Sequence, residues 1–409
     1  MGLCVIFVMA AMVLAAMLVE PISARLRLPF SALLVLIGFA ASELITGLGF
    51  DTGLRHEDFV ALVLHVLVPM LVFESAFHMS LRGLLKNLLP VLLLAVPFML
   101  LAAALTGVTL YWGINHPGFP LMAALLTGTI LSATDPVAVV ALFQKLHAPQ
   151  RLSVLLEGES LFNDATAVVV FGLLVGLMLH PSTSLSASQV ALDFSRHFVG
   201  GVVFGLALGL IAGWLYSRSA RLEWISIIAL LLPPLAYVLA EQQLHVSGIV
   251  TVLCAGLMLG EAHRQSRADA FISNLWQVIA YAANAIVFLL VGVTMTVGMF
   301  TSHWLAMLIG IGAATLARLL NVYVLLRLCL KLPGQAPLGR GYPAVLQWGG
   351  LRGAVALALA LSLPTEIQGW YSIQSIVYGV VVFTLFVQAP LMAPLVRKAV
   401  ASAPSADAG

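Results

Sequence analysis

Two apolar stretches of this sequence carry carboxylates, which are costly to place away from water. In the first stretch, Asp135 follows Thr134 and is followed at once by Pro136. Proline removes a backbone donor and clashes with the preceding turn, so a helix is predicted to unwind around Thr134 and Asp135. Unwound helices of this kind form cation sites in secondary transporters, because free backbone carbonyls then lie beside a carboxylate. The alternative is a simple proline kink with a solvated aspartate.

The second stretch runs from Glu157 to Asp164 and holds several oxygen-bearing side chains. Ser160, Asn163 and Asp164 are spaced by three and four residues, so on a helix they share one face. Together they offer a hydroxyl, an amide oxygen and a carboxylate, and hard monovalent cations prefer oxygen ligands. The pattern favours a site for such a cation. The alternative is a polar stripe that faces a water-filled vestibule.

Glycines interrupt a later apolar stretch, in which Gly349, Gly350 and Gly353 surround Arg352. Glycine weakens a helix by roughly 1 kcal/mol relative to alanine, so this stretch is predicted to unwind near Arg352. The alternative is a close-packing face of small residues. Interrupted segments at matching positions of two inverted halves are the sequence signal of a transport site, and these two interruptions fit that arrangement.

Two more charges lie among hydrophobic residues, Arg318 and Glu74. A buried cation without a partner is costly, so Arg318 is predicted to pair with an acid. Glu159 is the preferred partner, because the two aspartates should remain free for ions, and Arg352 competes for the same glutamate. Glu74 has three open interpretations: part of a funnel leading to the ion site, part of the site itself, or a purely structural role.

The composition indicates a membrane protein. Of 409 residues, 61% are hydrophobic and 9% charged, whereas soluble proteins carry roughly 25% charged residues. The net charge of +2 gives no reason to expect a nucleic-acid partner. The three cysteines, Cys4, Cys254 and Cys329, lie in apolar stretches outside any CxxC pattern, so neither a disulfide framework nor a zinc site is expected. A P-loop motif is absent, so ATP is not expected to drive the protein.

The sequence therefore predicts an all-α polytopic fold. A helix needs about 20 apolar residues to cross the hydrocarbon core. Cutting the chain at charged and Pro/Gly-rich breaks gives about 13 spans, and the two interruptions fall in the fifth and the twelfth. The predicted spans run at about 2–19, 30–50, 59–79, 88–113, 120–143, 152–179, 190–217, 223–242, 246–261, 275–298, 303–327, 343–363 and 371–396.

The basic residues support this count independently. Lys and Arg concentrate in every odd-numbered loop, whereas the even loops and their helix ends hold only Arg55 and Arg196. Cytoplasmic loops carry the excess of basic residues. A miscounted span would reverse the alternation for the rest of the chain, and it never reverses. The N-terminus is therefore predicted outside and the C-terminus in the cytoplasm.

Four motifs in order resemble the bacterial NhaP-type Na⁺/H⁺ antiporters of the monovalent cation:proton antiporter class, to which the animal Na⁺/H⁺ exchangers are related. They begin at Val68 (VPMLVFE), Ser132 (SATDPVAV), Glu157 (EGESLFNDA) and Gly349 (GGLRGAV), and the resemblance covers most of the chain. It implies two inverted six-helix repeats with crossed, discontinuous helices in spans 5 and 12. It also implies a homodimer in a bacterial inner membrane.

The resemblance further implies a division into domains. A dimerisation domain would be built from spans 1–3 and 8–10, a core ion-transport domain from spans 4–6 and 11–13, and span 7 would link them. In residues, the parts are dimerisation 1–87, core 88–189, linker 190–222, dimerisation 223–302, core 303–398 and a short cytoplasmic tail 399–409.

The same resemblance assigns roles at the ion site. Asp164 would be the ion- and proton-binding carboxylate. Na⁺ would be held with help from Asp135, Thr134 and Ser160, with Asn163 and Glu74 contributing to the site. Glu159 and Arg318 would form a stabilising ion pair, and Arg352 would compensate the crossed helix ends. Asn163 before Asp164, together with the absence of lysine inside the predicted spans, implies electroneutral exchange of one cation for one proton.

The expected function is thus secondary antiport of Na⁺, with Li⁺ as a further candidate, against H⁺. A buried Asp164 would hold either ion, and an elevator-like, alternating-access movement would carry it across. No cofactor and no enzymatic activity are expected. A K⁺/H⁺ antiporter shares the architecture. A cation channel and an intramembrane aspartyl protease using Asp135 and Asp164 are remote alternatives, and the GxGD motif of such proteases is missing.

Overall fold

The computed structural model describes residues 2–26, 29–47, 62–146, 148, 150–180, 187–219, 221–265, 270–329 and 341–401. Within these ranges the chain is helical, apart from turns and one isolated backbone bridge. The helices are α1 Gly2–Leu26, α2 Phe30–Gly47, α3 Val63–His78, α4 Leu81–Lys86, α5 Leu88–Ile114, α6 Leu121–Ser132, α7 Val137–Lys145, α8 Gln150–Leu179, α9 Ala187–Arg218, α10 Leu222–Leu244, α11 Gly248–Gln265, α12 Ala270–Thr294, α13 Val297–Leu325, α14 Tyr342–Trp348, α15 Ala354–Leu361 and α16 Trp370–Val400.

The all-α membrane fold is confirmed. In the described part of the chain, seven helices are long and apolar enough to cross a membrane, namely α5, α8, α9, α10, α12, α13 and α16. Shorter apolar helices are also present, such as Val8–Ser23 and Phe30–Ile45. The helices fall where spans are predicted, but the total of thirteen spans stays a prediction. Most of the predicted cytoplasmic tail, residues 402–409, lies outside the described residues.

The predicted interruptions are present as breaks between helices. α6 ends at Ser132 and α7 begins at Val137, so the chain leaves the helix at Thr134 and Asp135, as the position of Pro136 predicts. α14 ends at Trp348 and α15 begins at Ala354, which places the glycine-rich segment between them. Each break therefore divides one predicted span into two half-helices. We call 133–136 the acidic break and 349–353 the arginine break.

The two breaks meet inside the fold. The backbone N–H of Asp135 donates to the carbonyl of Leu351 at 2.8 Å, which forms an antiparallel bridge between them. The approach is close because a glycine stands at 353, where an added Cβ would overlap the Asp135 side chain. The crossing thus satisfies a backbone donor that an unwound helix would otherwise leave unpaired.

The remaining helices surround this crossing in two packed groups. In one group α5 packs on α6 and on α13, and α13 packs on α16. In the other, α12 packs on α2, and α11 packs on both α3 and α9. α9 approaches α11 through small residues spaced four apart, Gly201, Gly205, Gly209 and Gly213, which allow close helix contact in a membrane. α8 contacts members of both groups and carries the polar stretch.

Candidate functional site

A cavity of about 440 Å³ leads from exposed side chains to the crossing. His78 and Gln144 lie at its exposed end, and Asp164 is part of its lining. One wall comes from α3 and α12, and the other from α7, α8 and the start of α15. Asp135, Thr134, Ser160 and Glu74 line the same cavity. The structure therefore gathers five of the predicted site residues around one open space.

Asp164 has an unused oxygen at this cavity. Its Oδ1 is buried and has no hydrogen-bond partner among the described residues. Thr134 and Asp135 line the same cavity as this carboxylate, and Asp135 lies close enough to interact with it electrostatically. A buried carboxylate oxygen without a donor is costly. This atom is therefore ready to accept a proton or a small cation.

Asp135 is anchored by the half-helices around it. Its Oδ1 accepts from the N–H of Val137 at 2.9 Å, and its side chain lies against Gly353, the residue before Ala354. Val137 and Ala354 are the first residues of α7 and α15. A negative charge is favourable at the positive end of a helix dipole. One aspartate thus lies at the N-termini of half-helices from both breaks.

α8 holds the acidic break in place through two side chains. The Ser160 hydroxyl donates to the carbonyl of Thr134. Nδ2 of Asn163 donates to the carbonyl of Ser132 at 2.7 Å and lies 3.4 Å from Oγ1 of Thr134. These bonds satisfy carbonyls that unwinding leaves without helical partners.

Asn163 does not lie beside Asp164 in the cavity lining, although their helical spacing predicts a shared face. It is absent from the lining of the 440 Å³ cavity and lines a separate cavity of about 20 Å³ on the other side of α8. Its Nδ2 donates to the carbonyl of Ser132, and its Oδ1 is buried without a hydrogen-bond partner among the described residues. The expected amide oxygen ligand is therefore not presented to the cavity. Asn163 contacts the acidic break but does not line the 440 Å³ cavity.

The buried arginines compensate the opposite helix ends. Arg318 forms an ion pair with Glu159, and it also donates to the carbonyl of Leu346, in the last turn of α14, at 2.9 Å. Arg352 donates to the carbonyl of Ala133, the C-cap of α6, at 3.3 Å. Cations are favourable at helix C-termini. Arg318 is thus the direct partner of Glu159, whereas Arg352 donates to the C-cap carbonyl of α6.

Glu74 lies on α3, on the wall facing α8. Its Oε1 is 3.1 Å from Nδ1 of His78, one turn later on the same helix. His78 also contacts the hydroxyl of Ser273 on α12 through Nε2, at 2.8 Å. Glu74 therefore sits beside the route to Asp164, with a histidine as its immediate neighbour. In the described residues, no group of three or more His, Cys, Asp or Glu is arranged to hold a metal ion.

The family model for the transmembrane sodium/hydrogen exchangers matches residues 10–398. The chain belongs to this family. The match spans both breaks and every residue assigned above. It confirms the resemblance to NhaP-type antiporters that the four motifs predicted.

Curated relatives within the sodium/hydrogen exchanger family are similar over most of their length. The Na⁺/H⁺ antiporter ApNhaP of Aphanothece halophytica is 35% identical over 378 residues, 91% of this chain and 70% of the relative. The low-affinity Na⁺/H⁺ antiporter NhaS1 of Synechocystis is 36% identical over 374 residues, 88% of this chain and 68% of the relative. The Na⁺/H⁺ antiporter NhaP of Pseudomonas aeruginosa is 32% identical over 366 residues, 86% and 84% of the two chains.

A solved structure shares the fold. The sodium proton antiporter MjNhaP1 from Methanocaldococcus jannaschii superposes with a TM-score of 0.80 at 21% sequence identity. The match covers 97% of this chain and 98% of the other. At this identity the likeness establishes the overall fold alone.

Several lining residues of this exchanger were not singled out from the sequence. Gln277 and Asn284 line the cavity from α12, and Glu157 lines it from α8. Gln277 and Asn284 are seven residues apart in a largely apolar helix, so two turns of one face carry amides. That spacing was a usable signal. Glu157 begins the third motif, but no feature of the sequence there predicts a place for it in the cavity lining.

Proposed function

We propose that the chain is a secondary antiporter that exchanges Na⁺ for H⁺, one for one, with Asp164 carrying each ion in turn. The observation that carries this proposal is the carboxylate of Asp164, which lines the open cavity and has one buried oxygen without a hydrogen-bond partner among the described residues. The exchanger family and its antiporter relatives support the same activity.

Na⁺, as the transported substrate, would be held by oxygen atoms on the cavity side of the crossing. Asp164 supplies the free carboxylate oxygen. Asp135, Thr134 and Ser160 lie around it, and their carboxylate, hydroxyl and carbonyl oxygens are suitable ligands for a hard cation. Glu74 faces them from α3 and completes the negative lining.

Exchange follows from the cost of an uncompensated charge. A bare Asp164 carboxylate cannot pass an apolar barrier cheaply, because an unpaired charge in hydrocarbon costs several kcal/mol. Either H⁺ or Na⁺ removes that cost, and the site cannot hold both. The carrier therefore changes sides only when loaded. Na⁺ and H⁺ compete, so the KM for Na⁺ is expected to fall as the pH rises.

The stoichiometry rests on the charges near the site. Position 163 is an amide, so Asp164 has no second acid next to it in the chain. The structure describes three lysines, Lys86, Lys145 and Lys398. Each lies in the last turn of its helix, at a position that the sequence assigns to a loop or to the tail. None of the three lies beside Asp164 in the cavity lining. In the proposed cycle, one Na⁺ crosses the membrane in one direction for each H⁺ that crosses in the other, so no net charge is moved.

The assembly completes the proposal. Helices of residues 88–189 and 303–398 would form the moving core, and those of 1–87 and 223–302 a static scaffold that dimerises, with 190–222 as the linker. The protein would lie in a bacterial inner membrane as a homodimer, with the N-terminus outside and the C-terminus in the cytoplasm. An elevator-like movement of the core would expose Asp164 to each side in turn.

Purified protein in liposomes with a trapped pH dye tests this function. Adding Na⁺ outside should move protons in wild-type vesicles, and an imposed membrane potential should not change the initial rate. Li⁺ and K⁺ added separately would establish the ion preference, and K⁺ without Na⁺ activity would favour a K⁺/H⁺ antiporter.

Asp164→Asn is the decisive variant. It should reduce Na⁺-driven proton movement to the level of empty liposomes, because an amide cannot release or bind a proton. Glu366→Gln, which changes an exposed acid in the connection between α15 and α16, is the matched control and should retain wild-type rates. Sustained exchange by Asp164→Asn in vesicles that contain correctly assembled protein would refute the assignment.

A further inference from the structure

A second, smaller cavity lies behind the transport site. It measures about 20 Å³ and is enclosed by α5, α8 and α13 with the arginine break. Asn163, Asn321 and Arg352 all line it, whereas none of them lines the transport cavity. A polar cavity of about 10–15 Å³ is large enough for one water molecule if two to four polar groups surround it.

Two amide oxygens in this cavity have no donor. Oδ1 of Asn163 and Oδ1 of Asn321 are buried without a hydrogen-bond partner among the described residues. The two residues are 3% and 4% exposed. Flipping either amide, so that its oxygen and nitrogen change places, does not supply the missing donor. Nδ2 of Asn163 donates to the carbonyl of Ser132, and Nδ2 of Asn321 donates to the carbonyl of Phe98 at 3.0 Å. Because those carbonyls only accept, both oxygens must face the cavity.

Arg352 brings unused donors to the same place. Its guanidinium has five N–H hydrogens, and its one side-chain hydrogen bond to a described residue is the bond to Ala133. Arg318, by contrast, is engaged by Glu159 and by the carbonyl of Leu346. The cavity therefore joins two acceptors without donors to a donor group with spare hydrogens.

The charges decide which ligand fits. Arg318 and Arg352 line the cavity with a single acid, Glu159, so its walls carry a net positive charge that disfavours a cation. The two amide oxygens present partial negative charge, which disfavours an anion. A neutral molecule that donates two hydrogen bonds and accepts one satisfies every group. We propose that this cavity is a binding site for one ordered water, which bridges Arg352 to Asn163 and Asn321.

The water links the arginine break to the acidic break. It fixes the amide of Asn163, whose Nδ2 holds the carbonyl of Ser132 and lies near Thr134. Asn321 thus acts as a positioning residue for the ion site, through the water and Asn163, without touching the ion. This consequence for transport rests on the proposed function, whereas the water site itself does not.

An experimental structure of the full-length protein in a lipid nanodisc tests the site directly. At a resolution that shows ordered solvent, a density peak should lie within hydrogen-bond distance of both Asn163 Oδ1 and Asn321 Oδ1. The absence of that peak, with waters visible elsewhere in the protein, would overturn the proposal. This readout holds even if the purified protein shows no Na⁺/H⁺ exchange, so failure of the function and failure of the water site are distinguishable.

Variants of Asn321 test the positioning role. Asn321→Leu keeps the branched shape and removes the polar partner, so the KM for Na⁺ should rise about fivefold with kcat unchanged, the loss equivalent to one neutral hydrogen bond. Asn321→Ser also loses the bond to Phe98 but keeps a hydroxyl for the water, and it should retain a near-wild-type KM. An unchanged KM in Asn321→Leu, or an equal rise in both variants, would refute the role.

A matched control removes a different buried amide. Gln388 lies on α16, is buried, and also has an amide oxygen without a partner, but it does not line the cavity of Asn163. Gln388→Met should leave the KM for Na⁺ unchanged. A rise equal to that of Asn321→Leu would show that loss of any buried amide near the crossing has this effect, and the specific bridge would be rejected.

Discussion

The acidic break and the arginine break have the same backbone arrangement but are stabilised differently. Each separates two half-helices, and the two are joined by the bond from Asp135 to Leu351. The acidic break is held by hydroxyl and amide groups of α8, and its carboxylate faces the open cavity. The arginine break holds glycines and a guanidinium that points to a helix C-terminus. One break presents oxygen atoms to a cation, and the other supplies space and positive charge.

The difference explains how four helix ends can be buried in one place. Asp135 accepts from the N-terminus of α7 and lies against Gly353 at the N-terminus of α15, whereas Arg352 and Arg318 donate at the C-termini of α6 and α14. Glu159 neutralises Arg318. These structural charges are thus compensated, and one Asp164 oxygen has no hydrogen-bond partner among the described residues, which fits its proposed role as the ion-binding group. Similar backbone breaks can therefore divide structural and transport tasks between them.

The largest expected effect in the comparison comes from the glycine that faces the acidic break. Gly353→Ala adds a Cβ that would overlap the Asp135 side chain and displace it. Exchange in liposomes should fall about 100-fold, since displacement of a site group by about 1 Å can cost that much. Gly172→Ala on α8, where an added Cβ has no neighbour within 4 Å, is the control and should retain activity. Normal exchange by Gly353→Ala would show that Asp135 need not hold this position.

An intermediate effect is expected from the charge of the arginine break. Arg352→Met leaves the carbonyl of Ala133 buried without its donor, so the free energy of unfolding should fall by about 1.5–3 kcal/mol. The midpoint of thermal unfolding in detergent should decrease. The exchange rate in liposomes should also decrease, by about tenfold. Arg352→Lys keeps a charged donor and should recover part of both. Equal losses in the two variants would mean that the guanidinium shape, rather than its charge, is required.

The smallest expected effect concerns one hydroxyl of the acidic break. Ser160→Ala removes the donor to the carbonyl of Thr134 and one oxygen of the ion site. The KM for Na⁺ should rise about fivefold, as expected for loss of one neutral hydrogen bond, while the protein remains folded. Ser195→Ala, on α9 and remote from the cavity, is the matched control. An unchanged KM in Ser160→Ala would restrict the break's ion-binding role to its carboxylates.

Local chemistry explains which features could be predicted from sequence. Pro136 breaks a helix wherever it stands in the interior, and the run of glycines has the same effect at the second break. The pairing of Arg318 with Glu159 was also predictable, because a buried arginine requires an acid and the other candidates were needed elsewhere. These inferences required only the properties of single side chains in an apolar surrounding.

Features that depend on the packing of distant segments were not predictable. The spacing of Ser160, Asn163 and Asp164 gives one helix face, but α8 is enclosed on several sides, so the two ends of the Asn163 amide meet different surroundings. The position of Asp135 beside Gly353 and its bond to Leu351 likewise depend on contact with a segment far along the chain. Helical periodicity predicts which residues are neighbours on one helix and carries no information about its partners.

The bond from Asp135 to Leu351 has a consequence for how the protein is made. During synthesis the N-terminal half enters the bilayer first, and the N–H of Asp135 then lacks its acceptor until the C-terminal half has been inserted. An unsatisfied backbone group in hydrocarbon costs several kcal/mol. The N-terminal half therefore completes its backbone hydrogen bonding only when the C-terminal half is in place, so the two halves depend on each other for their final structure.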